Sequence, residues 1–265
     1  RKDRMAIDRA GLLIADRFVA APTEGNAGAA AARRALDKKT GRPCRVFELA
    51  YSGGSSRQAG LWAQHLLKVR HPSLENLLGF EERRDGRSAY WICEDSEGRS
   101  FAELAAEGRP FSETEAAGMT AALAGALRAL RAGAPDLPPL NISPASLLLT
   151  PGGRPVLAGL GAFIAQEAIT DYQSPGGLPA DAADIYSLGA SLAFLFSRKK
   201  PAELQAGGGL GALKAHTGFS DEFCGLLAGM TAGHGGGRFR SAQELEERLK
   251  RLLSGAAPSR LRAAS

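Results

Sequence analysis

Cysteine is scarce in this chain of 265 residues, and the three that occur are Cys44, Cys93 and Cys224. None lies in a Cys-x-x-Cys pair and none stands beside a cluster of histidines, so the sequence predicts neither a zinc site nor a disulfide framework. We expect the three thiols to be small buried groups in a reducing compartment. This favours a cytoplasmic location, either for the whole protein or for the cytosolic part of a larger one.

Long apolar runs are also missing. The longest, around Ile185 to Phe196, is shorter than the roughly 20 residues that a membrane helix needs, and it contains Ser187 and Ser191. The beginning of the sequence lacks the hydrophobic stretch of a signal peptide. We therefore expect no membrane span in this segment.

Neither sign of charge is concentrated in one part of the chain. Lysine and arginine number 33 and the acids 28, which gives a net charge of +5, but the two signs are interleaved. A nucleic-acid-binding domain is expected to show a basic stripe with aromatic side chains among its cations, and no such stripe is present. We therefore expect no nucleic-acid partner and interpret the charge as a solvated basic surface.

The chain does have enough apolar residues for one folded domain. They make up 44% of the sequence, which at this length suffices for one large core or two coupled lobes. Strand patterns fill the first third of the chain. The predicted strands run from Leu12 to Val19, Ala29 to Arg34, Arg45 to Tyr51, Leu77 to Glu81 and Ala89 to Cys93.

One helix, from Ser56 to Val69, interrupts these strands and is ended by His71-Pro72. The residues at helical spacing that we expect on its packed face are Leu61, His65, Leu66 and Val69.

Helices and one hairpin dominate the rest of the chain. Two capping boxes predict helix starts: Ser112 with Glu115 and Ser241 with Glu244. An apolar helix is predicted to open at Asp184, and short apolar runs on both sides of Pro151-Gly152-Gly153 predict a hairpin. The predicted fold class is α+β, with a strand-rich lobe over residues 1–95, a mainly helical lobe over 96–255 and a flexible tail over 256–265.

Three stretches carry a family resemblance. They are His-Pro-Ser-Leu at 71–74, Asn-Ile-Ser-Pro-Ala-Ser-Leu-Leu-Leu at 141–149 and Asp-Ile-Tyr-Ser-Leu-Gly at 184–189. They resemble, in that order, the segment after the first-lobe helix, the catalytic loop and the central second-lobe helix of protein kinases, above all bacterial serine/threonine kinase domains. Asn141 and Ser146 also keep the separation of the family's catalytic aspartate and metal-binding asparagine. The resemblance implies a two-lobed protein-kinase-like fold.

The resemblance also implies that the nucleotide site has lost its charged groups. Kinases hold the phosphates with a strand lysine that a helix glutamate positions. Phe47 stands at the lysine, and Trp62, or Gln64 after a small shift, stands at the glutamate. Arg45 replaces an alanine that in the family lies flat on the adenine ring. Arg45 either turns out to water or, with Phe47 and Trp62, fills the cleft, and both outcomes oppose ATP binding.

The catalytic loop and the metal site are altered in the same way. By resemblance, Asn141 stands at the catalytic base, Ser143 at the loop lysine and Ser146 at the metal-binding asparagine, while Gly159-Leu160-Gly161 replaces the metal-binding Asp-Phe-Gly. An amide does not take up a hydroxyl proton at neutral pH. Magnesium prefers carboxylate oxygen, which Gly159 cannot supply. The resemblance thus predicts no catalytic residue, no metal ligand and no cofactor.

Positions that support the fold are kept. Asp184 corresponds to the aspartate that hydrogen-bonds the backbone of the catalytic loop.

The Ala-Pro-Glu motif of the family is altered, because Gly176 stands at its glutamate. Arg238 corresponds to the arginine that normally pairs with that glutamate, so we expect Arg238 to have lost its partner.

Lost chemistry on a retained fold is typical of a scaffold. The resemblance implies a catalytically inactive pseudokinase that binds a protein in bacterial signalling, such as a kinase, a phosphopeptide-binding protein or an envelope or signalling protein. Two alternatives stay open. One is nucleotide binding without transfer, with the hinge-like Glu94-Asp95-Ser96 holding a purine. The other is an atypical nucleotide-dependent transferase on the same fold, with Glu94, Asp95 or Asp171 as ligands.

Overall fold

The computed structural model describes residues 12–21, 32–50, 56–84, 88–140, 142–160, 170–232 and 238–255. These residues belong to two compact units. The first is drawn from residues 1–70, 75–96 and 159–167, and the second from residues 71–74, 97–158 and 168–265. Neither unit is continuous in sequence. Residues 71–74 belong to the second unit, although the residues before and after them belong to the first. Residues 159–167 belong to the first unit, although the residues before and after them belong to the second.

The first unit is built on one antiparallel sheet. Its strands are β1 (Leu12–Ile14), β2 (Phe18–Ala20), β3 (Arg33–Asp37), β4 (Pro43–Ala50), β5 (Leu77–Glu82) and β6 (Ser88–Glu94). They pair in the order β1-β2-β3-β4-β6-β5, so β4 has a partner on both sides. The β4–β6 ladder runs from Cys44 opposite Glu94 to Ala50 opposite Ser88.

Alternate residues of this sheet form a tight core on one face. Its buried members are Ile14, Phe18, Ala20, Ala35, Cys44, Val46 and Ile92. The period-two pattern of β4 therefore places Cys44 and Val46 in this core and turns Arg45 and Phe47 to the other face.

The three cysteines of the chain, Cys44, Cys93 and Cys224, are all buried free thiols, as the sequence predicts.

The predicted strand over Leu12 to Val19 is wrong, because the structure has two short strands there. Ala15 and Asp16, in the turn between them, have φ angles of 48° and 51°, a left-handed conformation that breaks the ladder. The next strand also differs from the prediction. It runs over Arg33–Asp37 instead of starting at Ala29, and residues 22–31 lie outside the described part of the chain.

The single helix of this unit, α1 (Ser56–Leu66), ends earlier than predicted and packs on a different face. Ala59, Ala63 and Leu66 are buried, whereas Leu61 is 45% exposed. A Cβ added at Gly60 would come within 3.8 Å of Phe80 on β5, so the helix approaches the sheet through small residues. The expectation that Leu61 and His65 share the packed face with Leu66 is wrong, because both side chains are exposed and Ala59 and Ala63 are buried instead.

The second unit is mainly helical. Its elements are β7 (Arg99–Ser100), α2 (Phe101–Glu107), α3 (Glu113–Gly133), β8 (Leu147–Leu149), β9 (Pro155–Leu157), a short 3-10 turn (Thr170–Tyr172), α4 (Ala180–Ser197), α5 (Pro201–Ala206), α6 (Leu210–Thr217), α7 (Asp221–Met230) and α8 (Ala242–Gly255). The predicted hairpin is present as β8 and β9, which form a small sheet with β7. Within the described ranges, no helix is long and apolar enough to cross a membrane.

Helix starts follow the sequence signals to different degrees. The capping box of Ser112 and Glu115 is complete at the start of α3. At α8, Ser241 accepts the Glu244 N–H, but the Glu244 carboxylate binds the Arg240 N–H instead of Ser241. Helix α4 begins at Ala180 after Pro179, four residues before the predicted start, so Asp184 lies inside it and is buried.

Candidate functional site

The central feature of the first unit is an ion pair between Arg45 and Glu75. Arg45 lies on β4, opposite Arg34 of β3 and Cys93 of β6, and its side chain is 27% exposed. Its Nε atom lies 3.6 Å from the Asp95 carboxylate. Arg45 therefore does not turn out to water, because its guanidinium is held between two acids of its own unit.

Glu75 is the more unusual partner, because its side chain is fully buried. Its second oxygen accepts the Gly159 N–H at 2.6 Å. Burial raises the pKa of Glu75, whereas Arg45 and the Gly159 N–H oppose that rise by stabilising the charged form. Both carboxylate oxygens are thus satisfied inside the unit, as a buried charge requires.

Sequence patterns do not single out Glu75. Only its position hints at a role: Glu75 is an acidic residue between Leu74 and Leu77-Leu78, in a stretch whose apolar residues predict a buried strand. A carboxylate in such a run needs a cation from elsewhere in the chain. Arg45 is that cation, 30 residues earlier.

Phe47 is buried on the same face of β4 as Arg45. Its ring lies 5.8 Å from the Arg45 guanidinium and is opposite Trp91 on β6. Trp91 is itself buried and packs edge-to-face on Phe80 with 5.3 Å between ring centroids. Trp62 is half-buried on α1 and contacts neighbouring residues. This region of the first unit is occupied by aromatic side chains and one paired guanidinium.

In the second unit, the segment that resembles the catalytic loop is tied into a turn. The Ser146 hydroxyl accepts the Ser143 N–H and donates to the Ser143 carbonyl, both at 3.0 Å. The Ser143 side chain is buried. Asn141 lies outside the described residues. The hydroxyl of Ser146 is therefore used in holding the loop's own backbone.

Asp184 fixes the backbone at Leu140, directly before this segment. Its Oδ1 accepts the Leu140 N–H at 2.6 Å, and its Oδ2 accepts the Nε of Arg131 at 3.1 Å. Arg131 also donates to the carbonyls of Leu137, at 2.5 Å, and Pro138, at 3.2 Å. Burial raises the pKa of Asp184 to about 7, although Arg131 favours the charged form. Arg131, at the end of α3, is a structural residue that no sequence signal marks.

Five further positions were assigned by the resemblance to kinases: Gly159, Leu160, Gly161, Gly176 and Arg238. Gly159 has a φ of 73°, a left-handed conformation that glycine adopts without strain, and Leu160 is buried. Gly161 lies outside the described residues. Gly176 is exposed with open space around it. Arg238 is half-buried and has at least one interaction within the protein, and the expected loss of a glutamate partner at position 176 stays a prediction.

The residues present do not fit the magnesium ions that a kinase fold implies. In the first unit, Gly159 has no side chain, and Glu75 and Asp95 face a guanidinium. In the second unit, the Ser146 hydroxyl is engaged with Ser143. Among the described residues, no group of three or more His, Cys, Asp or Glu side chains is arranged to hold a metal. Magnesium needs several oxygen ligands in near-octahedral geometry, and these side chains do not offer them.

No protein-family model and no curated protein matches the chain. Among solved structures, the PknI kinase domain of Mycobacterium tuberculosis superposes with a TM-score of 0.70 at 18% identity, over 91% of this chain and 98% of that domain. A double mutant of the same domain gives 0.68 at 19% identity, over 89% and 95%. The chain therefore has an α+β, two-lobed protein-kinase-like fold, which confirms the resemblance of fold.

Proposed function

We propose that this chain, which has the fold of a protein kinase, is a catalytically inactive binding module that works without nucleotide. Its partner would be a protein in bacterial signalling: a kinase, a phosphopeptide-binding protein or an envelope or signalling protein. The observation that supports this most is the Arg45–Glu75 ion pair. By the resemblance to kinases, Arg45 corresponds to an alanine that in those proteins lies against the adenine ring.

A purine cannot enter that position unless Arg45 moves. Moving it would separate the guanidinium from a carboxylate that is fully buried. Leaving one member of a buried ion pair without its partner costs about 3–5 kcal/mol. A nucleotide would have to supply that energy before gaining any affinity, so the ion pair competes with the base.

The phosphates would meet a second obstacle. Phe47 offers no positive charge, and Gly159 offers no ligand for the metal that normally neutralises the triphosphate. Catalysis of phosphoryl transfer relies almost entirely on positioning and on neutralising charge. Without those groups, we expect the fold to act through its surface.

Nucleotide titration followed by thermal unfolding tests the first part of this proposal. With ATP or ADP at millimolar concentration, with and without magnesium or manganese, we expect no rise in the melting temperature, because only a ligand that binds the native state stabilises it. A magnesium-dependent rise would contradict the proposal and favour the transferase alternative. A metal-independent rise would favour nucleotide binding without transfer.

A pair of variants shows whether the ion pair is the obstacle. The double variant Arg45→Ala, Glu75→Val removes both charges, and adenosine serves as the probe because it needs neither lysine nor metal. We expect adenosine to stabilise this variant and not the wild type. The matched control is Arg33→Ala, Glu48→Val, which removes another ion pair of the same unit and should gain nothing.

Transfer and partner binding are tested separately. With radiolabelled ATP and general protein acceptors, we expect no label on any protein, and labelled product would overturn the proposal. Partners captured from the source cell should be retained equally with and without magnesium and ATP. Retention that requires nucleotide would contradict a nucleotide-independent module.

A further inference from the structure

Three parts of the first unit that are distant in sequence meet at the Glu75 carboxylate. One oxygen binds Arg45 of β4, the other binds the backbone N–H of Gly159, and Glu75 itself precedes β5. We infer that Glu75 is a latch: it fixes the Gly159 backbone to β4 through Arg45, so that the unit keeps this arrangement without any bound small molecule.

The geometry favours a latch over an incidental contact. The Glu75 side chain has no exposure to solvent, so neither of its bonds competes directly with water. The 2.6 Å bond from the Gly159 N–H is a short hydrogen bond to a charged acceptor, a type about twice as strong as a neutral one. The two bonds connect positions 114 residues apart in sequence with one side chain between them.

The latch occupies the place of a ligand. In kinases the nucleotide with its metal ions connects the strand that carries the lysine to the segment that begins with the metal-binding aspartate. Here the corresponding positions are β4 and Gly159, and a protein carboxylate joins them. This inference does not depend on partner binding, because it concerns only how the unit is held together.

Another cluster in the same unit provides the comparison. Asp37 accepts hydrogen bonds from Arg17, from the Lys39 N–H and from Thr40. It is also a buried carboxylate, but its partners are all in adjoining turns and Arg17 is one-third exposed. Asp37 therefore connects Arg17 to the turn at Lys39 and Thr40, and none of these hydrogen bonds involves Gly159.

Hydrogen exchange of individual amides, measured by NMR on the whole chain, tests the latch. In the wild type, we expect the Gly159 amide to be protected, with no further protection when magnesium and ATP are added. Glu75→Leu removes the acceptor and should speed exchange at Gly159 by roughly 10- to 100-fold, the effect of losing one hydrogen bond to a charged group. Amides in the β4–β6 ladder should change much less.

Two further variants keep the test decisive if Glu75→Leu does not fold. Glu75→Gln retains an acceptor oxygen and should speed Gly159 exchange less than leucine does. Asp37→Asn is the control and should leave Gly159 unchanged. The inference is overturned if the wild-type Gly159 amide is unprotected, if ATP slows its exchange, or if the Asp37 variant speeds it as much as the Glu75 variants do.

Discussion

At the scale of single residues, the second unit depends on Arg131 as the first depends on Arg45. Its guanidinium contacts the Asp181 and Asp184 carboxylates and the carbonyls of Leu137 and Pro138. The Arg131 side chain is only 10% exposed. One side chain therefore joins the end of α3, the backbone at Leu137 and Pro138, and the first turns of α4.

We expect Arg131→Met to lower the free energy of unfolding by about 3–5 kcal/mol, because it leaves the buried Asp184 without its cation. The control is Arg128→Met on the same helix, where the side chain is 50% exposed and pairs with Glu246. That variant should lose at most about 1 kcal/mol. Urea unfolding measures both, and equal losses would contradict the role given to Arg131.

The resemblance to kinases assigns Phe47 and Gly159 to particular kinase positions from one sequence, and these assignments stay predictions. Glu75 and Arg131 were not predictable, because each acts through a partner 30 or 53 residues away and a single sequence does not show which charges will meet. The roles given to the altered kinase positions remain predictions.

At the scale of elements, close packing explains one glycine of α4. A Cβ at Gly189 would lie 2.5 Å from the Met230 Cβ and 3.2 Å from Thr231, so α4 and α7 touch at this point. On α3, by contrast, nothing lies within 4 Å of a Cβ at Gly118. Gly189 is therefore required by close packing between two helices, whereas no neighbour requires glycine at position 118.

These glycines predict opposite results for the same substitution. Gly189→Ala should lower the free energy of unfolding by about 1–3 kcal/mol through overpacking. Gly118→Ala should raise it by about 0.5–1 kcal/mol, because alanine is the better helix former and meets no neighbour. Urea unfolding of the two variants checks this, and a stabilised Gly189 variant would show that α4 and α7 are not in close contact.

Elements were predictable where local signals decide them. The capping box at Ser112 and the β8–β9 hairpin need only neighbouring residues, and both are present. The face of α1 and the start of α4 were predicted wrongly because tertiary packing decides them. Helix α1 approaches Phe80 of β5 at Gly60, and α4 starts after Pro179 without a side-chain cap.

At the scale of the whole molecule, both units contain carboxylates that are more acidic than usual. The hydrogen bond from Arg17 holds the pKa of Asp37 well below its ordinary range, and capping hydrogen bonds lower the pKa of Glu103 and Glu115. Such groups stabilise the folded state above the pKa that they have in the unfolded chain, and this stability is lost as the pH falls.

We therefore expect the free energy of unfolding to fall as the pH drops below about 4, where the unfolded chain takes up protons that the folded chain does not. Burial raises the pKa of Glu75 and Asp184, so these groups take up protons at a higher pH in the folded chain than in the unfolded chain and do not contribute to this loss. Asp37→Asn should flatten the dependence in urea unfolding at a series of pH values. An unchanged slope would show that Asp37 is not acidic in the folded state.

The Arg45–Glu75 pair also restricts how the chain can change over generations. A mutation of either residue alone leaves the other charge stranded in the interior, a loss of about 3–5 kcal/mol that a protein of ordinary stability can rarely tolerate. Replacing the pair would need both substitutions at once, or a stabilising substitution beforehand. The two positions are therefore expected to vary together rather than one at a time.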